Sequence, residues 1–216
     1  MTVHYPIGPS SLSRVFKCPG SLRLAQGRET TTSQYATEGS LAHDLAAKAL
    51  TGEGGSVIMF ESDEMADHVQ GYVAFCRSIL KNCSRWAVET TYESKEIREF
   101  GGTADFVAVI REGDRSVLHV VDFKYGAGVP VGVENNPQLL AYLLLAREDL
   151  GEHDAYRASI YQPRTSGEAA ETVEYDRGDL EEFRKTLLDA ISEERKDDFS
   201  AGDHCRWCPA VTDCDH

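Results

Sequence analysis

The chain has 216 residues, of which 41% are hydrophobic and 27% are charged, which is typical of one soluble domain large enough to bury a core. No apolar run approaches the ~18 residues that a membrane-spanning helix needs, and residues 1–10 lack the regions of a signal peptide, so we expect a cytoplasmic protein without a membrane partner. The net charge of −14 argues against a protein that coats DNA through a basic surface, but not against an enzyme that holds phosphates through divalent metal.

The predicted elements run from helices to strands and back to a helix and a strand. Apolar spacing and capping residues predict helices at 9–26 (short helix and turn), 38–50, from Ser62 onward, 137–148 and about 178–195. Runs of β-branched and aromatic residues predict strands at 86–93, 102–110, 116–123, 156–162 and near 170–175. A flexible stretch is expected at 125–136. The order helix, three strands, helix, strand usually gives an α/β fold with a mixed sheet flanked by helices.

Two acids and a lysine are expected to meet where two predicted strands end. Asp122 and Lys124 are two residues apart, so they share a face of their strand while Phe123 points into the core. Asp105 reaches the same face if the strands 102–110 and 116–123 pair as a hairpin. Carboxylates that hold a divalent cation, with a lysine beside them, suit phosphodiester hydrolysis. Taken alone, an Asp-x-Lys pair at a strand end is more often a surface ion pair.

Two helices add polar side chains with helical spacing. His43 lies on the predicted helix 38–50, and Gln138 and Tyr142 are four residues apart on one face of the helix 137–148. Each feature alone has an ordinary structural explanation, as a partly buried histidine or as a pair on a helix surface.

The four motifs occur in one order along the chain, as G-x-x-x-H, G-x-x-D, D-x-K and Q-x-x-x-Y. This ordered set resembles the nuclease core of the RecB/AddB/Cas4 group of the PD-(D/E)XK superfamily, over roughly residues 38–162. The phrases CPGS, TADF, DFKYG and NPQL also resemble phage and prophage proteins assigned to this superfamily. The residues that carry the motifs are Gly39, His43, Gly102, Asp105, Asp122, Lys124, Gln138 and Tyr142.

The resemblance implies a restriction-endonuclease-like core of the order αβββαβ, with residues 1–216 forming one nuclease domain. It implies that Mg²⁺ or Mn²⁺ is ligated by His43, Asp105, Asp122 and the carbonyl of Phe123. Two departures stand within the wider pattern: Ala104 replaces the proline before Asp105, and the third motif carries aspartate rather than glutamate.

The remaining motif residues acquire catalytic roles through the same resemblance. Lys124 would serve the attacking water, and Gln138 and Tyr142 would contact the DNA backbone or brace the site. The short basic segment with Arg14, Lys17, Arg23 and Arg28 is a further candidate for phosphate binding, although scattered arginines are usually solvated.

Four of the six cysteines are arranged as one plus three. Cys205, Cys208 and Cys214 form C-x2-C-x5-C in the tail, and Cys18 lies near the other end of the chain. Four thiolates can hold a [4Fe–4S] cluster or a zinc ion, and the spacing leaves both open, together with unligated cysteines. The resemblance to Cas4 and AddB implies the iron–sulfur cluster, which would tie the two chain ends together. Cys76 and Cys83 are expected to be free and buried.

The sequence therefore predicts a metal-dependent deoxyribonuclease, an exonuclease acting on single-stranded DNA or duplex ends. The implied setting is phage or mobile-element recombination, with a recombination or helicase protein as partner, because the chain has no P-loop motif of its own. Two alternatives remain open: a non-catalytic iron–sulfur docking or DNA-binding module with a nuclease fold, and a zinc-stabilised regulatory protein.

Overall fold

The computed structural model describes residues 5–28, 34–52, 60–126 and 129–215. Within them the longer helices are α3 (Gln34–Thr51), α4 (Asp63–Ile79), α5 (Pro137–Leu150) and α6 (Arg177–Ala190), preceded by the short α1 (Leu12–Val15) and α2 (Ser21–Ala25). The strands are β1 (Cys83–Glu93), β2 (Gly101–Glu112), β3 (Arg115–Phe123), β4 (Ala155–Tyr161) and β5 (Ala170–Tyr175). Short 3₁₀ turns lie at Pro9–Ser11, Leu80–Asn82, Glu193–Arg195, Asp203–Trp207 and Val211–Asp213.

The strands form one mixed five-stranded sheet in the order β1-β2-β3-β4-β5. Neighbouring strands are antiparallel except β3 and β4, which are parallel because α5 carries the chain back along the sheet between them. β2 and β3 form the predicted hairpin, closed by Gly113 and Asp114, and Gly113 takes a φ of 64° that a hairpin turn requires. The predicted α/β architecture is confirmed at this level.

Helices cover both faces of the sheet and make two hydrophobic cores. One core lies against α3 and α4, and the other against α5, α6 and the N-terminal turns. α5 is central to the second core, and every residue from Leu139 to Arg147 is buried. Within the described residues, no helix combines the length and apolar character that crossing a membrane requires.

Most predicted boundaries hold to within a few residues, and the largest difference is at the end of α6. That helix ends at Ala190, not near 195, because Ser192 has an extended ψ of 154° and Glu193–Arg195 form a separate 3₁₀ turn. The described part of the predicted flexible stretch 125–136 makes specific hydrogen bonds. The side chain of Gln162 accepts from Val131 N at 2.9 Å and donates to the carbonyl of Val129 at 2.9 Å.

The two ends of the described chain contact each other. The backbone N–H of Gly20 donates to the carbonyl of Asp198 at 2.8 Å, and the ring of Phe199 packs against Gly20. Arg23 pairs with Asp197 at 2.5 Å, and Arg28 pairs with Asp213. We call this set of contacts the terminal clasp.

Candidate metal centre

The hairpin places Asp105 beside Asp122. Phe106 pairs with Val121, so the acids are one step further along each strand. The backbone N–H of Phe123 donates to Asp105 Oδ2 at 2.7 Å, which fixes the orientation of that carboxylate. Phe123 is 1% exposed and its ring stacks on Tyr72 with a centroid distance of 4.4 Å, as the alternation of the strand predicts.

Asp122, Gln138 and Lys124 form a closed ring of polar contacts. Gln138 Nε2 donates to Asp122 Oδ1 at 3.0 Å, and Lys124 Nζ donates to Gln138 Oε1 at 2.8 Å. Lys124 Nζ also lies 2.9 Å from Asp122 Oδ2. Asn136 caps α5 by accepting from the N–H of Gln138, so the helix start positions the glutamine over the strand end.

Burial and neighbouring charges shift the pKa values of Asp122 and Lys124. Burial raises the pKa of Asp122, with the charge of Asp105 adding to the effect and Lys124 opposing it. Burial lowers the pKa of Lys124, but the charge of Asp122 outweighs it and the net pKa is raised. Lys124 therefore keeps its proton in this arrangement and acts as a positive hydrogen-bond donor.

Tyr142 lies on the same side of the site, one helical turn after Gln138. It is 7% exposed, and a methyl group at Gly102 would lie 3.4 Å from its ring and 2.7 Å from Pro9. Burial raises the pKa of Tyr142, and the charges of Asp122 and Asp105 raise it further. The phenol therefore stays protonated and can donate a hydrogen bond.

Asp105 also faces α3, where it meets His43. His43 Nδ1 lies 3.2 Å from Asp105 Oδ1 and 3.5 Å from Glu89 Oε1. Burial lowers the pKa of His43, but the two carboxylates outweigh it and raise the pKa to about 10. Three side chains of the kinds that bind metals come together here. Among the described residues, the group whose donor atoms all lie within 4.8 Å of one another is His43, Glu89 and Asp105. This group could bind a divalent metal ion.

Glu89 is the site residue that the sequence reasoning missed. It stands in β1 among other polar residues, and no motif marks it. Val88 pairs with Phe106 and Thr90 with Ala104, so Glu89 is opposite Asp105. The signal that could have found it is this register, which requires the pairing of β1 with β2 to be known.

The residues present suit a hard divalent cation. Carboxylate oxygens with one imidazole nitrogen are ligands that Mg²⁺ and Mn²⁺ accept. Asp122 is 3% exposed, and the ammonium group of Lys124 lies 2.9 Å from its Oδ2 atom. The donor set of two carboxylates and one imidazole in the group of His43, Glu89 and Asp105 therefore fits such a cation.

The comparison with known families covers nearly the whole chain. The model of a family described as "Protein of unknown function (DUF2800)" matches residues 4–216. The chain belongs to the DUF2800 family.

Three solved structures are similar to this DUF2800 chain at low sequence identity. The crystal structure of SSO0001 is 15% identical, with 97% of this chain and 85% of that chain covered and a TM-score of 0.42. An alkaline exonuclease (LHK-Exo) from Laribacter hongkongensis is 14% identical, with coverage of 84% and 89% and a TM-score of 0.34. Its complex with dAMP has the same identity and coverage and a TM-score of 0.36. All three scores are below 0.5, so they describe a distant likeness.

The four cysteines of the one-plus-three pattern line one cavity in this DUF2800 chain. The cavity has a volume of about 60 Å³ and lies at the terminal clasp. Its cysteines are Cys18, Cys205, Cys208 and Cys214. Among the described residues no three of these sulfurs come within 4.8 Å of one another. The four cysteines therefore share a cavity but are not positioned as a metal-ligand cluster, either for a zinc ion or for the predicted iron–sulfur cluster.

The two remaining cysteines are free thiols, and three arginines of the basic segment are bonded to other side chains. Cys76 is free and buried, as predicted, while Cys83 is free but only half-buried. Arg23 and Arg28 are paired with acids of the tail, and Arg14 donates to Ser21 Oγ at 2.5 Å. Two of the four basic residues of the predicted phosphate-binding segment are therefore engaged in the terminal clasp.

Proposed function

We propose that this protein is a divalent-metal-dependent deoxyribonuclease of the PD-(D/E)XK type, similar to RecB and Cas4. The observation that carries the proposal is the ring of Asp122, Gln138 and Lys124 beside Asp105, where two carboxylates and a protonated amine converge at one strand end. The proposed substrates are single-stranded DNA or duplex ends, cleaved as by an exonuclease. The proposed setting, phage or mobile-element recombination with a helicase or recombination partner, rests on the sequence resemblance alone.

Asp105 and Asp122 would hold Mg²⁺ or Mn²⁺, with the Phe123 carbonyl beside them and His43 on the α3 side. A bound divalent cation supplies charge stabilisation at the scissile phosphate and a lower pKa for an attacking water. Lys124 contacts both Asp122 and Gln138, and its amine would orient the water and neutralise charge that develops on phosphate oxygen.

Gln138 and Tyr142 would set the geometry around the reacting phosphate. Gln138 holds both members of the ion pair, so it fixes where Lys124 points. Tyr142 keeps its proton and can donate to a phosphate oxygen on the α5 side of the site.

The test is a cleavage assay on end-labelled single- and double-stranded DNA, with Mn²⁺ or Mg²⁺ against EDTA. Asp122→Asn preserves shape and removes the charge, and we expect it to lower cleavage at least 100-fold. Asp114→Asn is the matched control, because it removes the same charge from the exposed turn at the other end of the hairpin. Cleavage that survives in pure Asp122→Asn would remove the site assignment. No cleavage of any substrate by the wild-type protein would favour a non-catalytic docking or DNA-binding module.

We also propose that Cys18, Cys205, Cys208 and Cys214 hold a [4Fe–4S] cluster, with zinc as the alternative. The support is that all four line one cavity where the chain ends meet. Protein purified without oxygen should be brown and contain about four iron and four sulfide per chain, and Cys214→Ser should lose most of both. A colourless protein with one zinc per chain would establish the alternative.

A further inference from the structure

An exposed tryptophan lies in the tail, next to the terminal clasp. Trp207 is 67% exposed, and in the part of the chain that the structure describes no other large hydrophobic side chain is as open to solvent. It ends the 3₁₀ turn Asp203–Trp207 and stands between Cys205 and Cys208 in the sequence. A single exposed ring is ordinary in itself, so its surroundings decide what it can bind.

Two exposed cations accompany this ring. The guanidinium carbon of Arg206 lies 4.9 Å from the centroid of the Trp207 ring. Lys17 closely follows α1, which packs against the 3₁₀ turn that carries the tryptophan. Neither Arg206 nor Lys17 forms an ion pair with a described residue, whereas Arg23 in the same region is paired with an acid. Asp203 is the acid of the turn and lies at its other end. An open ring beside unpaired cations favours a ligand that is both aromatic and anionic, as a nucleotide is.

The N-terminal turns connect this ring with the candidate metal centre. A methyl group at Gly102 would lie 2.7 Å from Pro9 and 3.4 Å from the ring of Tyr142, so the start of the chain packs against the site. Residues 9–15 then run through α1 to the 3₁₀ turn of Trp207. At helical rise this connecting segment is about 9–12 Å long, which a few nucleotides of a single strand can cover.

We propose that Trp207 and Arg206 form a stacking site for an unpaired base of DNA that is bound at the candidate metal centre. This inference rests on the proposed function and narrows its substrate to DNA with a single-stranded stretch. The indole ring would stack on the base, and Arg206 and Lys17 would neutralise neighbouring phosphates. Every base has a flat aromatic face, so the site would accept any sequence. The bases of an intact duplex are already stacked on one another and could not use the ring.

The experiment measures how tightly full-length protein, purified without oxygen, binds a fluorescently labelled oligothymidine. Fluorescence anisotropy without added divalent metal gives the affinity in the absence of cleavage. Trp207→Leu keeps an apolar side chain but removes the aromatic face, so we expect it to weaken binding about 10-fold. Trp207→Phe keeps a ring and should stay within about 3-fold of the wild type. Val211→Ala is the matched control, because it changes another exposed apolar residue of the tail and should bind as the wild type does.

A blunt duplex and a crosslink complete the test. All variants of Trp207 should bind a blunt duplex as the wild type does. An oligonucleotide that carries 5-iodouracil should crosslink to the tail peptide that contains Trp207. Circular dichroism checks that each variant is folded.

The inference is overturned if the wild type does not bind oligothymidine, or if the leucine and phenylalanine variants of Trp207 bind it equally well. A crosslink confined to other peptides, or an equal loss of blunt-duplex binding in Trp207→Leu, would also overturn it. Metal-dependent cleavage with unchanged binding by Trp207→Leu would reject the stacking site while the nuclease stands. Binding that depends on the Trp207 ring, without cleavage of any DNA, would reject the nuclease while the stacking site stands.

Discussion

Glu89 has an unusual backbone conformation for a residue inside a strand. Among the described residues, Glu89 is one of three non-glycine residues with positive φ, together with Glu99 and Asn135. Glu99 lies in a connection, and Asn135 lies just before the capping residue of α5, whereas Glu89 lies inside a strand where such a conformation interrupts the alternation of side chains. The carboxylate of this residue lies 3.5 Å from His43 Nδ1.

The backbone cost at Glu89 can be measured by comparing Glu89→Gly with Glu89→Ala. Both variants remove the carboxylate, so their difference reports the backbone alone. A left-handed residue with a Cβ costs about 1–2 kcal/mol and glycine in a strand costs roughly 0.5–1 kcal/mol, so the glycine variant should be more stable by about 0.5–1 kcal/mol. Urea unfolding without metal gives the two free energies.

The same pair of substitutions at Thr91 is the control. Thr91 is in the same strand with an ordinary φ, so alanine should there be the more stable variant. If the alanine variant is more stable than the glycine variant at both positions, Glu89 carries no backbone strain.

Replacing the motif glycines Gly39 and Gly102 by alanine is predicted to change the stability of the protein in opposite directions. A Cβ at Gly102 would lie 2.7 Å from Pro9 Cδ, so alanine should separate the N-terminal turn from β2 at a cost of about 1–3 kcal/mol. A Cβ at Gly39, inside α3, meets nothing within 4 Å, so alanine should stabilise the helix by about 0.5–1 kcal/mol. Thermal unfolding of both variants tests this, and loss of cleavage in a stabilised Gly39→Ala protein would place DNA next to α3.

The helices and strands could largely be predicted, because the local spacing and type of residues determine where each of them forms. The segments 102–110 and 116–123 are rich in β-branched and aromatic residues, and they lie within the observed β2 and β3. The spacing of Asp122 and Lys124 was therefore enough to place both at one strand end. Glu89 could not be predicted, because its position depends on the β1–β2 register, which no local spacing encodes.

The middle of the sheet contains a buried polar chain that predicts a pH-dependent stability. His119 on β3 is 3% exposed, its Nε2 lies 2.8 Å from Ser159 Oγ, and Ser159 Oγ lies 2.7 Å from Thr172 Oγ1. Burial lowers the pKa of His119 to about 3, with the charge of Arg157 adding to the effect. The folded state therefore keeps this histidine neutral at pH values where the unfolded state protonates it.

The pKa of His119 in the folded state lies below the value of about 6.5 in the unfolded state. Between about pH 3 and 6.5 the unfolded state therefore binds a proton that the folded state does not. The free energy of unfolding falls as the pH falls through that range. Through His119, the free energy of unfolding at pH 5.5 should be about 1.4 kcal/mol lower than at pH 7.5. Urea unfolding of the wild type and of His119→Leu at both pH values isolates it, since other groups titrate in both proteins. An identical pH dependence in the two proteins would contradict the neutral buried state.

At the scale of the whole molecule, the ends are joined by contacts that the sequence did not indicate. The resemblance of the cysteine arrangement to Cas4 and AddB implied that the ends meet, and the cavity lined by Cys18 and the tail cysteines lies there. The pairing of Arg23 with Asp197 has no local signal, because the two residues are 174 positions apart (197 − 23). Long-range ion pairs of this kind follow from the completed fold, and exposed pairs contribute little stability on their own.

The terminal clasp should therefore depend on packing at Gly20 more than on its ion pairs. A methyl group there would lie 2.5–2.8 Å from three carbon atoms of the Phe199 ring, so Gly20→Ala must displace that ring and loosen the tail. Gly8→Ala is the control in the same terminal segment, because the nearest atom to its methyl group would be 3.8 Å away. We expect limited trypsin digestion to cleave the tail of Gly20→Ala several-fold faster than that of the wild type or Gly8→Ala. If trypsin cleaves metal-free Gly20→Ala at the same rate as the wild type, the ion pairs and remaining contacts hold the tail without the Phe199 ring.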